Sequence, residues 1–253
     1  MRNIKLTIEY DGSRYQGWVR LGKNESTNTI SNKILEVIRK MTGEDVELFC
    51  GARTEVGVHA YAQTASFKTN TDMKDYEIQH YLNRYLPMDI AIISVEDMPE
   101  RFHAQLNARS KIYIYRATIS DVPSVFDFKY TYHCFRRPDM DAMKAAAQLL
   151  LGRHDFKNFS TVKHNKSTER EIYQIDIYDD GEEMQISMHA DDFLHNMQRT
   201  IVGTLLEVGL GTKKPEDITA IFSGEQPASA PCDPKGMYLQ EVQIGRASCR
   251  ERV

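Results

Sequence analysis

A short loop between two strand-like segments carries the residues best suited to chemistry. The stretch FCGARTEVGVHAYAQTASF, residues 49–67, places an arginine and a carboxylate two residues apart, Arg53 and Glu55, between the glycines at 51 and 57. Glycine permits backbone conformations that larger residues resist, as a chain needs where it approaches a ligand closely. An arginine can hold a phosphate or a displaced base. Glu55 is therefore either a solvated loop residue or the centre of a reaction.

A second candidate lies on a predicted helix in the C-terminal half. In the segment LHNMQRTIVGTLLEVG, Arg199 shares one helical face with Val202, Gly203 and Leu206. Its charged head could reach past these residues to solvent. If the head is buried, it requires a carboxylate, because an unpaired charge in a low dielectric costs on the order of several kcal/mol. A loop carboxylate such as Glu55 could supply that partner.

Two further segments could contact a nucleic acid. Tyr113 and Tyr115 share one face of the predicted strand KIYIYR, where paired aromatic residues either pack across strands or stack on a base. The segment TVKHNKSTER, residues 161–170, sets four basic side chains against one acid: Lys163, His164, Lys166 and Arg170 against Glu169. It fits a phosphate-contacting loop and an ordinary mobile loop equally well.

The composition is that of an ordinary soluble globular protein, with 41% hydrophobic and 27% charged residues in a chain of 253. No apolar run approaches the roughly 18 residues of a membrane span, and the N-terminus MRNIKLTIEYDG lacks the apolar core of a signal peptide. We therefore expect a cytoplasmic protein without a membrane partner. The net charge of −4 argues weakly against a nucleic-acid partner, but it does not exclude a local basic face.

Metal and cofactor motifs are not found in the sequence. The four cysteines show neither CxxC nor Cys/His ligand spacing, and His59, His103 and His195 have no metal-binding spacing. No phosphate-binding loop, dinucleotide-binding glycine motif or nucleophile elbow is present. The end GRASCRERV, residues 245–253, follows a finished strand without apolar periodicity, and we expect it to be a cloning or read-through tail.

The hydrophobic pattern predicts an α+β fold of two similar halves, residues 1–105 and 106–244. Each half follows the order strand-helix-strand-strand-helix-strand, the split βαβ (ferredoxin-like) arrangement, with mainly antiparallel sheet, helices on one face and a cleft between the halves. The first half supplies IKLTIEY, the helix TISNKILEVIRKMTG, strands at 46–50 and 63–67, a helix over 73–86 and IAIISVEDM. The second supplies KIYIYRATI, the helix DMDAMKAAAQLLLG capped by Asp139 and ended by Gly152, the hairpin EIYQIDIY–EMQISMHA, helices over 195–208 and 214–222, and MYLQEVQI.

These segments resemble the tRNA pseudouridine synthase A family over almost the whole chain, from Lys5 to Gln243. IEYDGSRYQGW is similar to the family's first-strand signature, and residues 49–67 are similar to its catalytic motif GRTDAGVHA. The segments YLNRYLPMDIAI, FHAQLNARSKIYIY, LLLGRHDFKNFS, FLHNMQRTIVGTLLEVG and GMYLQEV follow in the family's order.

The resemblance implies a homodimer that converts uridines of the tRNA anticodon stem-loop, positions 38–40 of the tRNA, to pseudouridine without metal or other cofactor. It assigns the catalytic carboxylate to Glu55, base displacement to Arg53, stacking on the uracil to Tyr113 and the partner of the carboxylate to Arg199. We expect substrate binding by residues of the motif and of the basic segment: Thr54, Gly57, His59, Lys163, Lys166 and Arg170.

The chain departs from the family pattern at the catalytic loop. Glu55 stands where the family has aspartate, Ala52 replaces a glycine, Val56 replaces an alanine, and Gln105 stands where an arginine is common. Glutamate keeps the charge but moves it by one methylene. Two hypotheses follow: an active synthase whose loop is adjusted to glutamate, or a catalytically impaired paralogue that binds or folds tRNA.

Overall fold

The computed structural model describes residues 1–19, 26–161 and 167–245. The described residues divide into two compact units, one formed by Met1–Arg109 with residues 239–245, the other by those within Ser110–Tyr238. Among the helices in these described ranges, none is long and apolar enough to cross a membrane.

The first unit follows the predicted order of elements. They are β1 (Arg2–Tyr10), α1 (Ile30–Thr42), β2 (Phe49–Cys50), β3 (His59–Thr69), α2 (Asp75–Tyr85) and β4 (Ile90–Met98). Strand β1 pairs antiparallel with β3 on one side and β4 on the other, and β2 pairs antiparallel with β3. The alternating residues Ile4, Leu6 and Ile8 are fully buried, as the period of β1 predicts.

Helix α1 is bounded by the residues that its sequence predicts. The Thr29 side chain accepts a hydrogen bond from the Asn32 amide at the first turn, and Gly43 ends the helix in the left-handed region with φ of 74°. Ile34 and Ile38, one turn apart on the apolar stripe, are fully buried.

The second unit repeats the order with additional short elements. They are β5 (Ala108–Ile119), β6 (Tyr132–Cys134), α3 (Met140–Gln148), β7 (Gly152–Asp155), β8 (Glu169–Asp179), β9 (Glu183–Ala190), α4 (Met197–Gly209), α5 (Asp217–Ser223) and β10 (Met237–Ile244), whose residues are divided between the units. Strands β5, β9, β8 and β7 pair antiparallel in that order. The hairpin between β8 and β9 turns at Gly181, with φ of 103°. The predicted α+β fold with mainly antiparallel sheet is confirmed.

Several predicted boundaries were wrong. Helix α3 begins at its predicted cap, Asp139, but ends at Gln148, because the next residues form tight turns with Leu149 and Leu150 donating three residues back. Gly152 does not cap it and instead opens β7. Strand β2 covers only Phe49–Cys50 rather than 46–50, and α4 begins at Met197 rather than 195. The short β6 pairs parallel with β5, an exception to the antiparallel pattern.

Candidate active site

The loop that carries Arg53 and Glu55 joins β2 to β3 and is anchored at its start. The fully buried Gln63 side chain accepts a hydrogen bond from the Ala52 amide at 3.2 Å and donates one to the Ala52 carbonyl at 2.6 Å. The Gly51 amide donates to the Thr64 carbonyl at 2.8 Å. Strand β3 therefore fixes the backbone just before Arg53.

The backbone around Glu55 is held from β1 and the turn that follows it. The Trp18 amide donates to the Thr54 carbonyl at 3.0 Å, and the Tyr10 and Thr54 hydroxyls, both buried, lie 2.7 Å apart. The Val58 amide donates to the Glu55 carbonyl at 3.2 Å. The turn from Glu55 to Val58 passes through Gly57, whose φ of 76° favours glycine. The Glu55 side chain thus extends from a fixed backbone.

Two glycines in the segment after β1 allow this close packing. A side chain at Gly12 would place its Cβ 2.0 Å from the Val58 carbonyl oxygen. At Gly17, whose φ is 80°, the Cβ would lie 2.7 Å from the Thr54 carbonyl oxygen. The turn after β1 therefore packs backbone against backbone on the loop that carries Arg53 and Glu55, which only glycine permits.

His59 ties the end of the loop to the same turn. Its buried ring nitrogen Nδ1 lies 3.1 Å from the Gly12 amide nitrogen, within hydrogen-bond distance. The Asp11 carboxylate is also 3.1 Å from Nδ1. His59 thereby connects the end of the loop to the turn after β1.

Within the loop, the three central side chains differ in exposure. Arg53 is exposed, Glu55 is half-buried, and Thr54 is buried against Tyr10. An exposed arginine and a half-buried carboxylate on a fixed backbone are suited to contact a ligand. The buried threonine is suited to hold the loop.

The second unit carries the other two predicted catalytic residues. Tyr113 and Tyr115 are both buried on one face of β5, and the Tyr113 ring contacts Phe193 edge-on at 5.3 Å between centroids. The Tyr115 hydroxyl donates to the Asp233 carbonyl at 3.0 Å, and burial raises the pKa of Tyr115. Tyr115 is therefore a structural neutral phenol. Tyr113, the residue that the family resemblance predicts to stack on a base, is 3% exposed.

Arg199 lies in the first turn of α4 and is half-buried. Its Nε donates to the Cys232 carbonyl at 2.7 Å, and its Nη1 donates to the Asn196 side-chain oxygen at 3.3 Å. The guanidinium is thus oriented by groups of its own unit and does not extend freely into solvent.

The basic segment is described only in part. Lys163, His164 and Lys166 lie outside the described residues. Arg170, on β8, donates from Nη1 to the Ser167 carbonyl at 3.2 Å and the Glu169 carbonyl at 2.6 Å. Within the described ranges, His, Cys, Asp and Glu side chains form no group of three or more that could hold a metal ion.

Sequence reasoning did not identify the residues that support these candidates. Tyr10 and Gln63 carry no motif, because each acts on a backbone or hydroxyl group more than ten residues away along the chain. The glycines of YDGSRYQGW were the available signal, since two glycines five residues apart after a strand indicate a tightly packed turn.

Comparison with known proteins identifies the family. The family model described as tRNA pseudouridine synthase matches residues 6–107 and 146–243. A tRNA pseudouridine synthase A 2 of Bacillus cereus is 42% identical over 247 residues, which are 96% of this chain and 100% of the relative. The tRNA pseudouridine synthase A 2 of Clostridium perfringens is 42% identical over 245 residues, 96% of this chain and 99% of the relative.

A tRNA pseudouridine synthase A of Bacillus sp. KSM-64 is 42% identical over 246 residues, 96% of this chain and 100% of the relative. These matches span both halves of the chain, including the loop of Glu55 and the helix of Arg199. The chain belongs to the tRNA pseudouridine synthase family.

Proposed function

We propose that this protein isomerises uridines of tRNA to pseudouridine, at positions 38–40 of the anticodon stem-loop. The observation that carries the proposal is the family match over both halves of the chain, which includes the loop holding Arg53 and Glu55. In the reaction the C1′–N1 bond breaks, the uracil rotates and a C1′–C5 bond forms, while the C5 hydrogen leaves as a proton and N1 gains one. Substrate and product are isomers, so the reaction requires no oxidant or reductant.

The resemblance to the family assigns a role to each proposed catalytic side chain. The Glu55 carboxylate either adds covalently to the nucleotide or removes a sugar proton, and the exposed Arg53 displaces the base. Tyr113 stacks on the uracil. Arg199 supplies the positive charge that pairs with the carboxylate.

The support for an active enzyme with glutamate is the rigidity of its loop. A displacement of about 1 Å can reduce a rate on the order of 100-fold, so a longer carboxylate functions only if its backbone is set for it. Here Ala52, which replaces the family's glycine, has both backbone groups bound to Gln63. Trp18 and Val58 fix the next residues. We infer that this loop positions glutamate.

Tritium release from tRNA labelled at uridine C5 tests the proposal. We expect release with wild type, none above background with Glu55→Gln, and a rate about 100-fold lower with Glu55→Asp, because the fixed loop would hold the shorter acid too far back. Glu55→Gln is the matched control, since it keeps length and shape while removing the charge. No release by wild type from any tRNA at high enzyme concentration would end the proposal.

The replacement of aspartate by Glu55 also favours a second candidate, a catalytically impaired protein that binds or folds tRNA. That candidate predicts tRNA binding by wild type without tritium release. A higher rate for Glu55→Asp than for wild type would support it, because the native carboxylate would then be out of position.

We also propose that the protein acts as a homodimer in the cytoplasm, where its substrate is found. The support for a dimer is an apolar stretch in the loop between β5 and β6. Its exposed fractions are 73% for Val122, 75% for Val125, 91% for Phe126 and 55% for Phe128. Exposed apolar side chains grouped in this way are typical of interaction surfaces.

Sedimentation equilibrium tests the dimer. We expect the mass of a dimer for wild type and of a monomer for the double variant Val125→Asp, Phe126→Asp. Tyr178→Asp, at an exposed aromatic residue on β8, is the control and should remain dimeric. A monomeric wild type would contradict the proposal.

A further inference from the structure

Asn196, the residue before α4, has an unusual backbone and an unusual set of contacts. Among the described residues it is the one non-glycine residue with positive φ, at 63°. Asparagine tolerates this left-handed conformation better than most residues, but adopts it in few positions. Such outliers persist where the surrounding structure requires them, often at functional sites.

The Asn196 side chain serves Arg199 rather than the helix backbone. Within the described residues, the side chain does not cap the amides of the first turn of α4. It accepts a hydrogen bond at Oδ1 from Arg199 Nη1 at 3.3 Å. Its Nδ2 donates to the Thr161 hydroxyl at 3.1 Å. The amide therefore bridges the guanidinium and a residue outside the helix.

The Thr161 end of this bridge is itself held in place. The Thr161 hydroxyl lies 2.7 Å from His195 Nδ1, and the Thr161 amide donates to the His195 carbonyl at 3.2 Å. His195 directly precedes Asn196, so Thr161 is held by the neighbour of the residue that it contacts.

A second hydrogen bond holds the Arg199 guanidinium, at Nε. Arg199 Nε donates to the Cys232 carbonyl at 2.7 Å, and the Cys232 amide donates to the Arg199 carbonyl at 3.1 Å. One turn along α4, a Cβ at Gly203 would lie 2.4 Å from the Ala230 carbonyl oxygen. The helix and residues 230–232 are therefore packed so closely that the Cys232 carbonyl has a fixed position.

We propose that Asn196 is a positioning residue, whose side-chain amide sets the orientation of the Arg199 guanidinium together with the Cys232 carbonyl. A guanidinium is planar and its N–H groups point in fixed directions, so two acceptors at Nε and Nη1 define both its plane and its rotamer. The inference rests on the proposed function, in which Arg199 is catalytic. Supporting groups of this kind hold a reactive side chain in the geometry that its reaction needs.

The variant Asn196→Gly separates the effect of the side-chain amide from the effect of the left-handed backbone conformation. Glycine adopts positive φ readily, so the start of α4 is preserved while the amide is lost. In steady-state tritium release, we expect kcat to fall about 10–100-fold and KM for tRNA to change less than about two-fold. The melting temperature should equal that of wild type. In an Arg199→Lys background, Asn196→Gly should cause no further loss, because its effect acts through the guanidinium.

Crystal structures of wild type and Asn196→Gly complete the test independently of activity. We expect Arg199 in one rotamer in wild type and in more than one in the variant. If wild type releases no tritium, the proposed function fails, and the rotamers alone then judge the role of Asn196. An unchanged single rotamer in the variant, wild-type kcat, or an equal loss in both backgrounds would overturn the inference.

Discussion

At the residue scale, the hydroxyl of Thr54 connects the loop that carries Arg53 and Glu55 to the core of the first unit. It lies 2.7 Å from the Tyr10 hydroxyl with both residues buried. Tyr10→Phe leaves the Thr54 oxygen buried without this partner, so we expect the free energy of unfolding to fall by about 1–2 kcal/mol. We expect kcat to fall about ten-fold because Glu55 is the next residue.

The measurements are urea unfolding and tritium release. Burial raises the pKa of Tyr10, so the phenol remains protonated and the effect should not vary between pH 6 and 9. Tyr76→Phe, at an exposed tyrosine on α2, is the control and should change the free energy of unfolding by less than about 0.5 kcal/mol. Full additivity of Tyr10→Phe with Thr54→Val would contradict a direct interaction.

The sequence indicates candidate reactive residues more clearly than the residues that would position them. Arg53, Glu55 and Arg199 are identifiable because charged residues in a glycine-flanked loop or on an apolar helical face are unusual. Gln63 and Asn196 look ordinary in the sequence. Their roles depend on strand register and on one left-handed backbone angle, neither of which leaves a spacing pattern.

At the element scale, the turn after β1 determines where the loop that carries Arg53 and Glu55 lies. Gly17 and Gly43 both have positive φ, 80° and 74°, so alanine is strained at either position. Only at Gly17 would the new Cβ also meet backbone, 2.7 Å from the Thr54 carbonyl oxygen, whereas nothing lies within 4 Å at Gly43. We expect Gly17→Ala to reduce kcat at least about ten-fold by displacing the loop.

Gly43→Ala is the matched control for this prediction. It should reduce the free energy of unfolding by about 1 kcal/mol and leave kcat unchanged in the tritium assay. Equal losses of kcat in the two variants would show that strain alone, and not contact with the loop, is responsible.

Elements were predictable from sequence where their periodicity extends over several residues. The stripe of α1, the alternation in β1 and the Asp-Gly turn between β8 and β9 are strong local signals. The strands β6 and β7, of three and four residues, are too short to show alternation. They exist because β5 and β8 offer backbone partners, and these partners lie 14 or more residues away in sequence.

At the scale of the whole molecule, buried thiols set a limit on alkaline stability. Burial raises the pKa of Cys134 to about 11 and of Cys232 to about 12, from an ordinary value of 9.0. Above pH 9 the unfolded chain releases these protons while the folded protein retains them, so stability falls as pH rises toward the folded pKa values. The loss approaches about 1.4 kcal/mol per pH unit for each thiol.

Urea unfolding at pH 8 and pH 10 measures this loss. The two thiols should together cost wild type about 2–3 kcal/mol over that interval, and Cys134→Ala should lose about 1 kcal/mol less than wild type because it lacks one of the two thiols. The comparison is between the two drops, so a constant destabilisation by the cavity in the variant cancels. Identical drops in both proteins would show that other groups cause the alkaline sensitivity.

The net charge of the molecule bears on the salt dependence of tRNA binding. The chain carries −4 overall, so attraction to a polyanion cannot come from net charge and must come from individual contacts with phosphates. Each such contact contributes about 0.7–0.9 to the slope of log K against log salt concentration. The basic segment supplies two candidates, Lys163 and Lys166, which lie outside the described residues.

We expect the double variant Lys163→Ala, Lys166→Ala to lower that slope by about 1.5, because two phosphate contacts are lost. Lys40→Ala, at an exposed lysine on α1, removes the same type of charge elsewhere and should leave the slope unchanged. Fluorescence anisotropy with labelled tRNA between low and physiological salt measures all three proteins. If both variants lowered the slope equally, binding would depend on total charge, and the segment at 161–170 would have no particular role in holding the phosphates.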